Sequence, residues 1–143
     1  MNLSPHFTLE ELTHTEVRQF DNTPNSDQIV NLARLADFLE QVRDILGKPI
    51  LVNSAFRSLL VNKTIGGTPS SQHMNGCAAD IRVPPLLPDE VMQKVIESKI
   101  NYDQLIREFD RWVHISIPNV LGDTPRKQAL IIDRKGVRPY AVS

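Results

Sequence analysis

The densest cluster of chemically capable side chains is Ser71-Gln72-His73-Met74-Asn75-Gly76-Cys77-Ala78-Ala79-Asp80. An imidazole nitrogen and a carboxylate oxygen are both good ligands for a divalent metal such as zinc, so His73 and Asp80 are candidates. On one straight helix seven residues span about 10 Å, too far for one ion with bonds near 2 Å. The chain must therefore fold back between the two, and Asn75-Gly76 is a suitable place. Asp80 then falls on the following strand. Ala78, Asp80 and Arg82 share one face, while Cys77, Ala79, Ile81 and Val83 share the other. The second is the core face; the first keeps a small residue beside the acid. A third ligand is available in Trp112-Val113-His114-Ile115-Ser116-Ile117. Strand alternation puts His114 on the less apolar side, with Trp112 and Ser116. A His-Asp-His set leaves one tetrahedral position open, the pattern of a catalytic zinc site rather than a structural one. Zinc so held lowers the pKa of water to about 7 and polarises an amide carbonyl. Spacing alone also allows a plainer reading. His73 and Asp80 fit turn and capping positions, and His114 fits a satisfied polar residue on a strand. His6 and His14 read as surface residues.

The elements that must position these residues follow from periodicity. Thr8 and Glu11 have capping-box spacing, which predicts a short helix within Phe7–Phe20. Asp21–Ser26 reads as a loop. Asp27–Leu46 carries Ile29, Leu32, Leu35, Ala36, Leu39, Val42 and Leu46 at helical spacing, and Gly47 and Pro49 end it. Ile50–Ser54 is β-prone, Gly66–Pro69 is a loop, and Cys77–Val83 reads as a strand closed by prolines. Asp89–Ser98 fits a second main helix with acids in its first turn. Gln104–Phe109, Trp112–Ile117 and Ala129–Asp133 read as strands, with a turn at Lys135-Gly136. Helices come first and strands later, which predicts an α+β fold. The 143 residues fit one domain, 1–143. Sixteen Lys and Arg against seventeen Asp and Glu give a formal net charge of −1. That balance argues against nucleic-acid binding by bulk charge, and Arg57 and Arg82 lack a basic cluster or an aromatic platform around them. With one cysteine no intrachain disulfide can form; Cys77 is expected to be a buried strand residue, not a nucleophile. No secretory signal or membrane-spanning stretch is evident. The expectation is a protein made in the cytoplasm without a signal peptide, working there or released by lysis or in an assembled particle.

Ser71 to Asp80 fits Ser-x-His-x-x-Gly-x-Ala-x-Asp, which resembles the signature of the peptidase M15 family, the zinc D-alanyl-D-alanine carboxypeptidases and related phage endolysins. Trp112-Val113-His114 resembles that family's second histidine motif, and Asn53-Ser54-Ala55-Phe56-Arg57-Ser58 resembles its Ser-Gly-Tyr-Arg-Ser segment. The N-terminal run with Phe7–Leu12, Asp21-Asn22 and the Asn31–Gly47 helix is similar to the small single-domain branch. The resemblance implies an antiparallel sheet carrying a zinc site with helices packed against it, as in hedgehog and D-Ala-D-Ala-peptidase folds. It implies that His73, Asp80 and His114 bind zinc. It also implies that Arg57 helps hold the substrate, for which its planar fork is suited, and that Ser71 acts near metal or substrate. The family uses an acid shortly before the second histidine as general base. Glu108 fits the small-branch pattern, and Asp110 is the alternative. Ala55 and Phe56 stand where Gly and Tyr are more usual, so the backbone at Ala55 should not need positive φ.

The resemblance implies a zinc-dependent peptidase that hydrolyses amide bonds of peptidoglycan stem peptides, as a D-Ala-D-Ala carboxypeptidase or an L-Ala-D-Glu type endopeptidase. It would be a phage- or prophage-derived monomer reaching the wall after lysis or within a phage particle. The competing reading is a non-catalytic cell-wall-binding or particle-structural module that keeps the same scaffold.

Overall fold

A computed structural model describes residues 1–141; the last two residues of the expected 1–143 domain lie outside it. The chain runs β1 (Asn2–Ser4), β2 (Phe7–Thr8), α1 (Leu9–Leu12), α2 (Ser26–Leu46), β3 (Leu51–Ser54), α3 (Leu59–Thr64), a 3-10 turn (Gln72–Asn75), β4 (Ala78–Arg82), α4 (Pro88–Ser98), β5 (Gln104–Glu108), β6 (Trp112–Ser116), β7 (Gln128–Asp133) and β8 (Gly136–Pro139). The architecture is α+β.

Local chemistry sets the helix ends. Thr8 Oγ1 accepts from the Glu11 N–H at 3.0 Å, which starts α1. Its end is marked by Thr13 Oγ1, which donates to the Leu9 carbonyl at 2.8 Å. At α2, Asn25 and Gln28 form a reciprocal capping box. Gly47 (φ 65°) closes that helix in the left-handed conformation. The predicted start at Asp27 falls one residue late because Asn25 takes the cap. Pro88 occupies the first turn of α4, where its missing N–H costs nothing. Helix α3 is not predicted by periodicity. It is six residues long, and Leu59 and Leu60 point to solvent, so no apolar stripe announces it.

The main sheet has the order β3-β4-β6-β5-β7-β8. Every pairing is antiparallel except β5 with β7. The all-antiparallel expectation is thus corrected at one pair. Strand β6 ends beside the start of β5, since Ser116 lies opposite Ala78 and its carbonyl accepts from the Asp103 N–H at 2.8 Å. Residues 117–127 connect β6 to β7, which pairs with the free side of β5 and runs in the same direction. The Arg126 and Gln128 N–H groups fix that entry on Asp103, at 2.8 Å to its carboxylate and 3.0 Å to its carbonyl.

One face of the sheet is dry. Ala79, Ile81, Leu105, Val113 and Ile115 pack with the buried faces of α2 and α4 in one core. This is the face predicted from strand alternation, and Cys77 is buried with it. The opposite face carries Asp80 and His114.

Candidate metal centre and groove

His73 leaves the 3-10 turn that Ser71 caps, its N–H donating to Ser71 Oγ at 3.2 Å. Gly76 then reverses the chain with φ 77°. A Cβ at Gly76 would come within 2.8 Å of the Gln28 carbonyl oxygen, so α2 presses directly on this turn. Two side chains of α2 fasten it: Gln28 Nε2 donates to the Met74 carbonyl at 3.2 Å and Asn31 Nδ2 to the Asn75 carbonyl at 2.9 Å. The chain thus folds back where the sequence reading placed the turn, and β4 brings Asp80 alongside. Strand pairing sets Asp80 directly opposite His114.

The three side chains converge. His73 Nε2 lies 3.3 Å from Asp80 Oδ1, and His114 Nδ1 lies 3.1 Å from the same oxygen. One ligand atom from each residue falls within 4.8 Å of the others. Two zinc bonds of about 2.0–2.1 Å meeting at a tetrahedral angle put their ligand atoms about 3.3 Å apart. The spacing therefore suits one such ion. The protonation pattern points the same way. His73 Nδ1 is 2.6 Å from the Ala55 carbonyl oxygen, which can only accept, so Nδ1 carries the proton. Burial pushes the His73 pKa down, favouring the neutral ring. Its Nε2 is then a bare acceptor facing a carboxylate oxygen, and a cation between them satisfies both. The donor set of two imidazoles and one carboxylate, with a backbone carbonyl orienting one ring, fits zinc.

A groove of about 860 Å³ opens over this centre. Arg57, Ser71 and Glu108 line it together with His73, Asp80 and His114. Arg57 Nη2 donates to Ser71 Oγ at 3.3 Å, while its buried Nε has no hydrogen-bond partner. Ala55 is absent from the positive-φ residues, as its side chain requires, and Phe56 is buried in the core. Glu108 pairs across the hairpin with Trp112. Burial pushes its pKa up, and the Asp80 charge adds to that.

Asp110 sits elsewhere. Phe109 (φ 55°) and Asp110 (φ 53°) form the hairpin turn, which breaks the strand parity that would have aligned Asp110 with His114. Its side chain is 73% exposed and pairs with Arg107 Nε at 3.0 Å. The structure brings Glu108, not Asp110, to the groove.

Some groove residues went unnoticed in the sequence. Gln104 and Ile106 share the parity of Glu108 on a predicted strand, so alternation could have found them. Nothing local announces Gln72 and Arg126. Gln72 Nε2 donates to Asp103 Oδ2 at 3.1 Å and to the Ile117 carbonyl at 2.8 Å. Arg126 Nη2 donates to Asp103 Oδ2 at 2.7 Å. This network joins three distant segments and stiffens one end of the groove.

A family model described as Peptidase M15 matches residues 5–116. The zinc D-Ala-D-Ala carboxypeptidase of Streptomyces albus G is 48% identical over 44 residues, a stretch covering 30% of this chain and 17% of that protein. Since the family match runs through the turn that bears His73 and the strands that bear Asp80, Glu108 and His114, the chain belongs to the peptidase M15 family.

Proposed function

We propose that this protein is a zinc-dependent peptidase acting on the stem peptides of peptidoglycan. The observation that carries the reading is the convergence of His73, Asp80 and His114 at ligand spacing beneath a groove that also holds Glu108 and Arg57. Three protein ligands leave a coordination position for the reaction. A zinc ion held there would supply Lewis acidity for the attacking water and the scissile carbonyl.

The chain's own groups supply the rest. Glu108, with its raised pKa, accepts a proton from the attacking water at a carboxylate oxygen and returns it to the leaving nitrogen. Arg57 holds the substrate with the N–H groups that Ser71 leaves free and stabilises negative charge developing on the carbonyl oxygen. Ser71 fixes both the Arg57 guanidinium and the His73 backbone. Asp110 takes no part.

The bond cut is a terminal D-Ala-D-Ala bond or an internal L-Ala-D-Glu type bond. A phage or prophage origin, a monomeric state, and action after lysis or from a phage particle belong to the same reading. Among the described residues no helix is long and apolar enough to cross a membrane. The test is mass spectrometry of purified muropeptides incubated with the zinc-loaded protein, with and without a chelator. Chelator-sensitive loss of D-Ala, or an internal cut, is the expected result. Bound zinc with intact muropeptides would instead favour a non-catalytic wall-binding or particle module.

A further inference from the structure

Two rows of side chains cross the groove face of the sheet, because cross-strand partners stack at the strand spacing. The first runs Asp80, His114, Ile106, Leu130. The second runs Trp112, Glu108, Ile132. Both rows end in apolar groups on β7. Ile106 is buried, while Leu130 and Ile132 line the groove only half covered. The core does not claim them: Ala129, of opposite parity on β7, is the residue that packs against it. Strand β7 also lies beyond residue 116, where the family match ends.

We infer that Leu130 and Ile132, seated beside Ile106, form a subsite that selects an apolar side chain on the peptide substrate. This deepens the peptidase reading and rests on it. Leu130 is two strands beyond His114, about 9–10 Å along the row. An extended peptide advances about 3.3 Å per residue, so a substrate lying along the row reaches Leu130 with a side chain two to three residues from the metal centre. A polar or charged side chain there would lose water without gaining a partner. The neighbouring polar groups are already engaged, Gln104 with Gln128 at 2.7 Å and Arg126 with Asp103. The apolar pair thus sets which residue is accepted at that distance from the scissile bond.

Trp112, the one tryptophan of the chain, lines the groove and reports its occupancy by fluorescence. The experiment titrates the zinc-loaded full chain with alanine-based pentapeptides carrying one Leu or one Glu at each position in turn. At one position Leu should bind about tenfold more tightly than Glu. In the Leu130→Thr/Ile132→Thr double variant, which places a strand-favouring β-branched residue at both positions, that ratio should fall below about twofold. An unchanged ratio overturns the subsite, as does the absence of any position where Leu outbinds Glu. Weaker binding of both peptides with the ratio kept, together with a lower Tm, marks a structural role and overturns it too. Muropeptide turnover in the same preparation separates the two claims. A Leu130/Ile132-dependent preference without turnover sinks the peptidase reading and leaves the subsite, whereas turnover without that preference does the reverse.

Discussion

Replacing Glu108 by Gln removes one proton acceptor and leaves the shape of the groove. Glu108 faces Trp112, two residues before His114, so it is a diagonal neighbour of His114 across the hairpin. Diagonal positions lie about 7–8 Å apart. That is close enough for the carboxylate to reach a water at the metal, yet Glu108 is not among the three side chains whose ligand atoms converge. The variant should therefore keep its zinc and lose turnover. General-base catalysis contributes about 10²–10⁴-fold, equivalent to about 3–5 kcal/mol of barrier. Stability should not fall. Burial raises the Glu108 pKa, so its favourable contribution is complete only below the unfolded value of about 4.3 and is lost as pH rises through the folded pKa. At neutral pH the metal-free Gln variant should melt at the same temperature as the parent or higher. Asp110→Ala is the matched control, and with that side chain 73% exposed and outside the groove its kcat should stay within about twofold. Steady-state kinetics on muropeptides, zinc content by mass spectrometry and calorimetric Tm read all three quantities. Full turnover in Glu108→Gln together with its loss in Asp110→Ala would refute the reasoning.

Other perturbations probe the supports of the site. Gly76→Ala forces a left-handed residue to carry a Cβ 2.8 Å from the Gln28 carbonyl oxygen; a loss of about 1–3 kcal/mol in denaturant melts should come with weaker zinc binding, because the same turn separates His73 from Asp80. Asp103→Asn should cost about 1–3 kcal/mol by weakening its pairing with Gln72 and with Arg126, whose side chain is 54% exposed and stays solvated. Burial works against the Asp103 carboxylate, but its bonds from Arg126 and Gln72 prevail and lower its pKa. That stabilisation is present above the unfolded value of about 3.9 and lost as pH falls through the folded pKa, so acid titration of Tm should flatten in the Asn variant over that window. Arg57→Lys should keep zinc but lower kcat/KM at least tenfold, since an ammonium cannot reproduce the fork beside Ser71. Cys77 should react slowly with a thiol reagent in the native protein and fast in denaturant, because it is fully buried and burial raises its thiol pKa.

The parts of the fold that bury a regular face were legible. Leu32, Leu35, Leu39 and Val42 announce α2, and the alternation of Ala79, Ile81 and Val83 gives both the strand and its dry face. The ligand pattern was legible because a seven-residue separation interrupted by Asn75-Gly76 demands a reversal. The choice between Glu108 and Asp110 was not, since it depends on a hairpin turn whose two positive-φ residues, Phe109 and Asp110, are not glycine. Helix α3 escaped because its leucines face water. The parallel insertion of β7 beside β5 also escaped: it is set by the Asp103–Arg126 contact, which joins residues 23 positions apart. With it escaped Leu130 and Ile132 as groove residues, since their partners lie on strands whose order no local pattern encodes.

Metal stoichiometry and affinity, measured on the parent and on His73→Ala, Asp80→Ala and His114→Ala, test the common centre most directly. The parent should hold one zinc ion per chain, and each variant should bind it at least about 100-fold more weakly while keeping its far-ultraviolet circular dichroism. A parent that retains no zinc after equilibration with an equimolar supply, or variants that retain it undiminished, would contradict the convergence of these three side chains on one ion.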